Sequence, residues 1–463
     1  MKRHIIVLSV FLMLVAPVLA RAAIITDVQS SFDENDPFDI KLTLGYDFNY
    51  RNTQITREAL SEGQIVPANK LEVNRTWHIM HVGMAIGLYK DLEFVVDLPI
   101  VMSDQADVVA HPTVKDDPQC AGEKLYSSCI NDIDPSSEAW DKTDASGGMP
   151  HAGTTLFDVP FKGKGRAGVG DLAFGIRWAP WHYKREKQYP SWLLGVLMRV
   201  PTAKVKGAYN TDVGEGLFQV ELNTSISRRV TSYFEPYFDL HGKLRFATDK
   251  SLFNNQDTVT QTLVQPGHQM GLKLGAEFIP WEVEAQERHV AINSGGGLDY
   301  VFEGREYSDL WEALGASPCL TMNGCDMTSY TRGLKGAASD PDLEQKKGLD
   351  QRTGAGFPRS DGTTDVEHYS FFSFWAGVDI QPVKYFQLGL HFKLAYMTPH
   401  FITFADAGKD AETDNDLFVT GENNLGDNEY NPKYLEALDE VGHRFRASQS
   451  LQYSFLVDVS GRF

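Results

Sequence analysis

The sequence predicts an all-β protein, a transmembrane antiparallel up-and-down β-barrel of about 12 strands. Two observations carry this. Apolar and polar residues alternate with a period of two in run after run, and a strand puts alternate side chains on opposite faces. The connections between the runs also fall into two length classes, and these alternate strictly.

The first run is the most regular: Phe38, Ile40, Leu42, Leu44, Tyr46, Phe48 and Tyr50 alternate with Asp39, Lys41, Thr43, Gly45, Asp47 and Asn49. Residues 80–88 and 92–102 form the next two runs, with Lys90-Asp91 as a two-residue hairpin turn between them. Runs at 172–178 and 192–200 flank a short basic connection, and those at 218–226 and 234–246 flank Arg229-Val230-Thr231. Residues 270–278, 290–302, 372–380 and 386–396 continue the pattern, with Pro382-Val383 as the last short turn. Residues 451–463 make the twelfth run.

The long connections are 51–70, 103–165, 202–215, 247–265, 304–365 and 399–440. Short periplasmic turns and long extracellular loops are the asymmetry of a bacterial outer-membrane barrel, so residues 38–463 are expected to form one, with the loops at the cell surface. A soluble sandwich gives no reason for the two loop classes to alternate. Trp178, Trp181, Trp192, Trp281 and Tyr385 sit beside the short turns, as an interfacial aromatic girdle would. In lipid every backbone polar group must pair within the protein, so the last run must close against the first.

The chain opens with Lys2, Arg3 and His4, an apolar stretch over 5–18, then Ala20, Ala22 and Ala23. This is the pattern of a secretory signal peptide, 1–22, with cleavage after Ala20 or Ala22. Residues 23–37 are expected to be a periplasmic lead-in. No later apolar run is long enough for a membrane helix. The formal charge of −19 disfavours a nucleic-acid partner, whose phosphates need basic patches. Cys120, Cys129, Cys319 and Cys325 form two close pairs in long loops of an exported chain, where disulfides persist, and the local pairings are expected.

If the apolar parity faces lipid, the other lines the lumen. It carries Asp39, Lys41, Asp171, Arg177, Arg199, Glu221, Glu235, Asp239, His241, Lys243, Arg245, Lys273, Glu277, Asp299, His391 and Lys393. Both signs are present, so two readings stand: ion pairs that fill a polar core, or a narrow polar conduit controlled by the loops. The alternating signs from Glu235 to Arg245 read as an ion-pair ladder rather than a binding site. No spacing selects a Ser, a His and an orienting acid, and no enzyme is expected. No cofactor is expected either. The acidic loop 406–416 places Asp410, Glu412, Asp414 and Asp416 at alternate positions, a spacing that can wrap calcium. It does not complete an EF-hand, since Asn415 holds the Gly position and Gly421 the closing Glu position, and a solvated acidic surface is the plainer reading.

The last run places Leu451, Tyr453, Phe455, Val457, Val459, Gly461 and Phe463 on one face. It resembles the terminal strand of bacterial outer-membrane β-barrels, whose final aromatic residue is part of the signal read by the assembly machinery. That resemblance assigns Tyr453, Phe455, Val457, Val459 and Phe463 to the signal.

Three motifs resemble a second family, the outer-membrane channels that include proteins associated with phenol meta-pathway degradation. They are Gly87-Leu88-Tyr89-Lys90-Asp91-Leu92-Glu93 leading to Leu98-Pro99, then Gly168-Val169-Gly170-Asp171-Leu172, then Val200-Pro201-Thr202. Ala203 stands where that family has a Gly soon after the Pro-Thr. The resemblance implies passage of small compounds, hydrophobic ones among them, and no catalytic residues.

Two functional expectations follow. One is a channel passing small solutes through a loop-gated barrel. The other is a plugged barrel whose extracellular loops bind a partner in an envelope assembly. The expected partners are outer-membrane lipid, the barrel-assembly machinery, and either a small solute or an envelope protein.

Overall fold

Twelve long strands, joined in sequence order, close into one barrel in the structure, a computed structural model. They are β1 (Ile40–Ser61), β2 (Gln64–Tyr89), β3 (Leu92–Ala110), β4 (Ala173–Trp181), β5 (Ser191–Arg199) and β6 (Leu217–Ser227). The second half is β7 (Phe234–Ala247), β8 (Gln269–Val283), β9 (Arg288–Val301), β10 (Tyr369–Val383), β11 (Phe386–Met397) and β12 (Phe445–Arg462). The structure describes residues 23–29, 39–61, 64–112, 156–182, 189–247, 264–317, 361–406, 436–439 and 441–463. The four cysteines and the acidic residues 407–416 lie outside them, so the disulfide and calcium expectations fall beyond the described residues.

Each strand pairs antiparallel with the next, and β12 returns to β1 in a register running from Lys41↔Arg462 to Arg57↔Phe445. At the short-turn end the seam is fastened by two backbone bonds. Phe463 N donates to Ile40 O at 2.9 Å and Ile40 N to Phe463 O at 3.0 Å. Closure leaves no open edge, which is what lipid requires of a spanning sheet.

The two parities separate as alternation predicts. Leu44, Leu274 and Phe374 are 54%, 56% and 54% exposed on the outside, whereas Glu235 and Asp239 on the inside are 1% and 3% exposed. An exposed apolar belt of this size around a closed cylinder is unstable in water and stable in a bilayer. The protein is therefore an outer-membrane β-barrel. Trp178, Trp181, Trp281 and Tyr385 are exposed beside the short turns, and the Trp181 ring contacts those of Tyr189 and Trp192 at 5.7 and 5.1 Å. Lys90 and Asp91 both have positive φ, 33° and 57°, the backbone of the tight turn expected there.

Three boundaries differ from the sequence reading. Residues 51–70 are not a loop: β1 and β2 continue outward as a tall hairpin, paired as far as Ser61↔Gln64. Above the membrane neither face must be apolar, so pairing persists after the alternation that marks a spanning strand has faded. The connection expected to start at residue 103 starts later for the same reason, since β3 runs to Ala110. The last short turn falls on Lys384-Tyr385 rather than Pro382-Val383. Pro382 lies within a register shift between Ile380 and Val383, where a residue without an N–H costs no ladder bond.

Well above the membrane-crossing part of β1, Glu58 accepts two hydrogen bonds from Arg444 at 2.8 Å and one from the Gly442 N–H at 3.0 Å. Burial pushes this carboxyl up, but Arg444 and the Gly442 N–H outweigh burial and hold it below its ordinary value. A depressed carboxyl stabilises the fold above its unfolded pKa, and that stabilisation is lost as pH falls through the folded one. Proteolysis of the outer ends of β1 and β12 should therefore quicken as pH drops below the ordinary carboxylate range. Glu58→Gln should be cut faster at neutral pH and show little change across that range.

Candidate functional site: the barrel interior

The interior has three levels, each built differently. At the short-turn end lies a segment that alternation could not place. Residues 23–29, with a 3-10 turn at Ile24–Thr26, cross the inside of the barrel and do not hang below it as a free lead-in. Ala23 N donates to Glu235 Oε1 at 2.6 Å and Ile24 N to Glu277 Oε1 at 2.7 Å, on β7 and β8. Asp27 takes Arg177 on its carbonyl at 2.8 Å and Arg462 on its carboxylate at 2.9 Å, on β4 and β12. Gln29 N donates to Glu93 Oε2 at 2.7 Å on β3. Val28 is buried with Ala179 and Leu193. Lys41 at the same level reaches Gln387 at 3.4 Å, and the Asp39 carbonyl accepts Gly87 N at 2.9 Å.

The middle level carries most of the charges. His241 touches Asp239 at 2.8 Å through Nδ1 and Asp299 at 2.7 Å through Nε2, and Asp239 also accepts from Ser225 Oγ at 2.6 Å. Lys273 stands 3.8 Å from Asp239, and Lys243 stands 3.5 Å from Glu221. Arg245 faces Glu306 at 3.4 Å and Gln269 at 2.9 Å. His391 lies between Asp379 and Asp458 at 3.3 and 3.4 Å. The charges on β7 thus pair with β6, β8, β9 and the connection that follows β9, and along β7 itself in the His241–Asp239 contact. Arg199 is half-buried between Ala173 and Gln219 in the sheet register. Lys393 is on the inner face yet exposed, so the wall side chains leave accessible space around it. Glycines let broad side chains lie flat against the wall: a Cβ at Gly275 would collide with the Tyr237 ring and one at Gly295 with Trp375. Tyr237 and Trp375 are joined at 2.9 Å, and both bond Asn293.

The outer level is a cap. Inward-facing Ile55, Leu71, Val73, Val108, Phe445 and Ala447 at the tops of β1, β2, β3 and β12 turn the wall apolar. Against them pack Leu156, Phe157, Ile402, Leu438 and a short helix, α1 (Trp311–Gly315), through Ala313 and Leu314. Arg166 fixes the cap from within. It bonds the carbonyls of Gly207, Asn210 and Asp212 and the Glu312 carboxylate at 2.9 Å, and stacks over Trp311 at 4.8 Å. Sequence reasoning missed Arg166 and Glu312. The available signal was the apolar residues at Ile55, Leu71 and Val73, positions where the inner face should be polar.

The three motifs that carried the channel resemblance meet beside β3. Gly170 N donates to Pro99 O at 2.8 Å, Asp171 accepts the N–H of Ala203 at 2.9 Å and of Glu215 at 3.2 Å, and Leu172 N donates to Thr202 Oγ1 at 2.9 Å. Asp171 is thus a clamp between connections rather than a lumen charge of the middle level. Tyr453, Phe455 and Val459 are exposed outward on β12, and Phe463 at its end is 70% exposed. Val457, half-buried, pairs with Tyr46 and Leu390 in the register.

No family model matches the sequence, and no curated protein matches it. Among solved structures it is similar to an outer-membrane channel of Pseudomonas putida F1, at 10% identity over 91% of this chain and 95% of that one, TM-score 0.39. It is also similar to a FadL homologue of Pseudomonas aeruginosa, at 6% identity over 92% and 90%, TM-score 0.33. A third is the outer membrane protease OmpT of Escherichia coli, at 8% identity over 92% and 96%, TM-score 0.27.

Proposed function

We propose that this protein is an outer-membrane channel that passes small solutes, including hydrophobic ones, through a barrel gated by its loops. The observation that carries the reading is the accessible middle level, marked by exposed Lys393 on the inner face, lying between two stoppers made of other segments. A barrel of about eight strands is just wide enough for its own side chains to fill, and one of twelve is wider. Here docked pieces lie at both ends, the segment 23–29 and the cap, and docked pieces can move without breaking the barrel. The apolar collar at the top of the wall favours solutes with an apolar part, because that collar is what an opening cap would uncover. The cap segments spend their apolar side chains inward on the collar, which favours a gate over a binding platform.

Reconstitution in planar bilayers tests this. Intact protein should give small discrete openings, and protein lacking 307–362 should give larger ones. A flat trace from both would overturn the reading.

A further inference from the structure

We propose that signal-peptide removal between Ala22 and Ala23 installs an α-ammonium group in a carboxylate pair formed by Glu235 and Glu277, and that this ion pair latches the N-terminal segment across the short-turn end of the barrel. Glu235 and Glu277 are directly opposite each other in the β7–β8 register and are 1% and 2% exposed. Like charges directly opposite on paired strands destabilise a sheet, and burial makes this worse. A cation placed between them offsets both effects. The Ala23 nitrogen lies at that place, fully buried, with Glu235 Oε1 at 2.6 Å and Ser227 Oγ at 3.4 Å. The next nitrogen, of Ile24, is bound to Glu277 at 2.7 Å. A peptide N–H at Ala23 has one hydrogen for two acceptors, whereas an ammonium has three donors and a full charge.

The sequence places a processing site at this point. Ala20-Arg21-Ala22 is the small-x-small end of the signal pattern, and of the two expected cleavage positions only the one after Ala22 delivers a free amine to Glu235. The reaction is a peptide-bond hydrolysis: the C–N bond between Ala22 and Ala23 breaks, the oxygen of water joins Ala22, which leaves as a carboxylate, and both protons of that water end on the Ala23 nitrogen, which becomes the ammonium. The other contacts make a strap of the segment. Asp27 is held from β4 and β12 and Gln29 from β3, far around the barrel from β7 and β8. The ammonium anchors one end of a crossbar whose other end is anchored by Arg177, Arg462 and Glu93.

Amine labelling tests the latch without requiring that the barrel conduct anything. Protein extracted from outer membranes is treated with an amine-reactive ester at neutral pH and digested with a Glu-specific protease. The N-terminal fragment 23–34 contains no Lys, so label on it reports the α-amine alone. The mass of this fragment should begin at Ala23, and its labelling should be at least about tenfold slower than that of the free 23–34 peptide, as for a group exposed only by local opening. The E235Q/E277Q double variant should label near the peptide rate. If that variant does not assemble, a native barrel refolded with Gly-Ser ahead of Ala23 should do the same. A first residue other than Ala23, native labelling at the peptide rate, or slow labelling in the altered proteins would each overturn the proposal.

Discussion

Arg166→Met should loosen the cap and raise single-channel conductance while leaving the barrel assembled. The guanidinium is 2% exposed and serves three loop carbonyls as well as the Glu312 carboxylate. Glu312 also accepts Lys164 N at 2.7 Å, so it ties the segment after β3 to helix α1. Methionine keeps much of the stem but leaves a buried carboxylate without its cation. Removing one partner of a buried ion pair costs about 3–5 kcal/mol. None of these groups belongs to a spanning part of the wall, so the loss falls on the cap. Heat-modifiable migration on gels should persist, surface loops should become more sensitive to protease, and bilayer openings should grow. R166M/E312L should recover part of the loss, because replacing both partners with apolar groups is often neutral. Conductance unchanged from native in R166M would mean that Arg166 does not hold the cap.

Deleting Phe463 should give the second large effect. Its N–H and carbonyl make the two backbone bonds that fasten β12 to Ile40, and its side chain is exposed. Two such bonds contribute about 1–3 kcal/mol to the seam. The larger consequence is at assembly, because a barrel closes only when its last strand meets its first. Export across the inner membrane should be normal, and heat-modifiable barrel in the outer membrane should fall steeply. Phe463→Tyr, which keeps ring and backbone, should assemble nearly as well as native protein. Normal barrel levels in the deletion would remove the assembly role from this residue.

The strands were legible because a bilayer imposes the sharpest contrast a strand can meet: hydrocarbon on one side, charged groups on the other. Leu42 and Leu44 against Lys41 and Thr43 carry that contrast in a few residues. The contrast ends where the membrane ends, so the top of the β1–β2 hairpin, where apolar and polar residues no longer alternate, read as a loop. Which inner groups meet was not legible. Alternation lists His241, Asp239 and Asp299 together, but only sheet register brings Asp299 on β9 within reach of His241 across β8. The segment 23–29 was harder still, since it has no period and its partners lie from 64 residues away, at Glu93, to 435 away, at Arg462. The cap is distributed in the same way. Leu156, Leu310, Ile402 and Leu438 come from three different connections and look like stray apolar residues until the wall gathers them.

The strands differ greatly in length, with 26 residues in β2 and 9 in each of β4 and β5. At about 3.3 Å per residue, that is a difference of roughly 55 Å along the strand direction. A tilted strand needs about 9–11 residues to cross a bilayer. The tube is therefore cut on a slant, with a parapet along β1, β2 and β12 and a low sill near β4 and β5. Approach to the mouth has a compass direction: among the described residues the strand wall stands tall on the β1, β2 and β12 side, and at β4 and β5 it ends early and the connections at 164–172 and 202–215 take over.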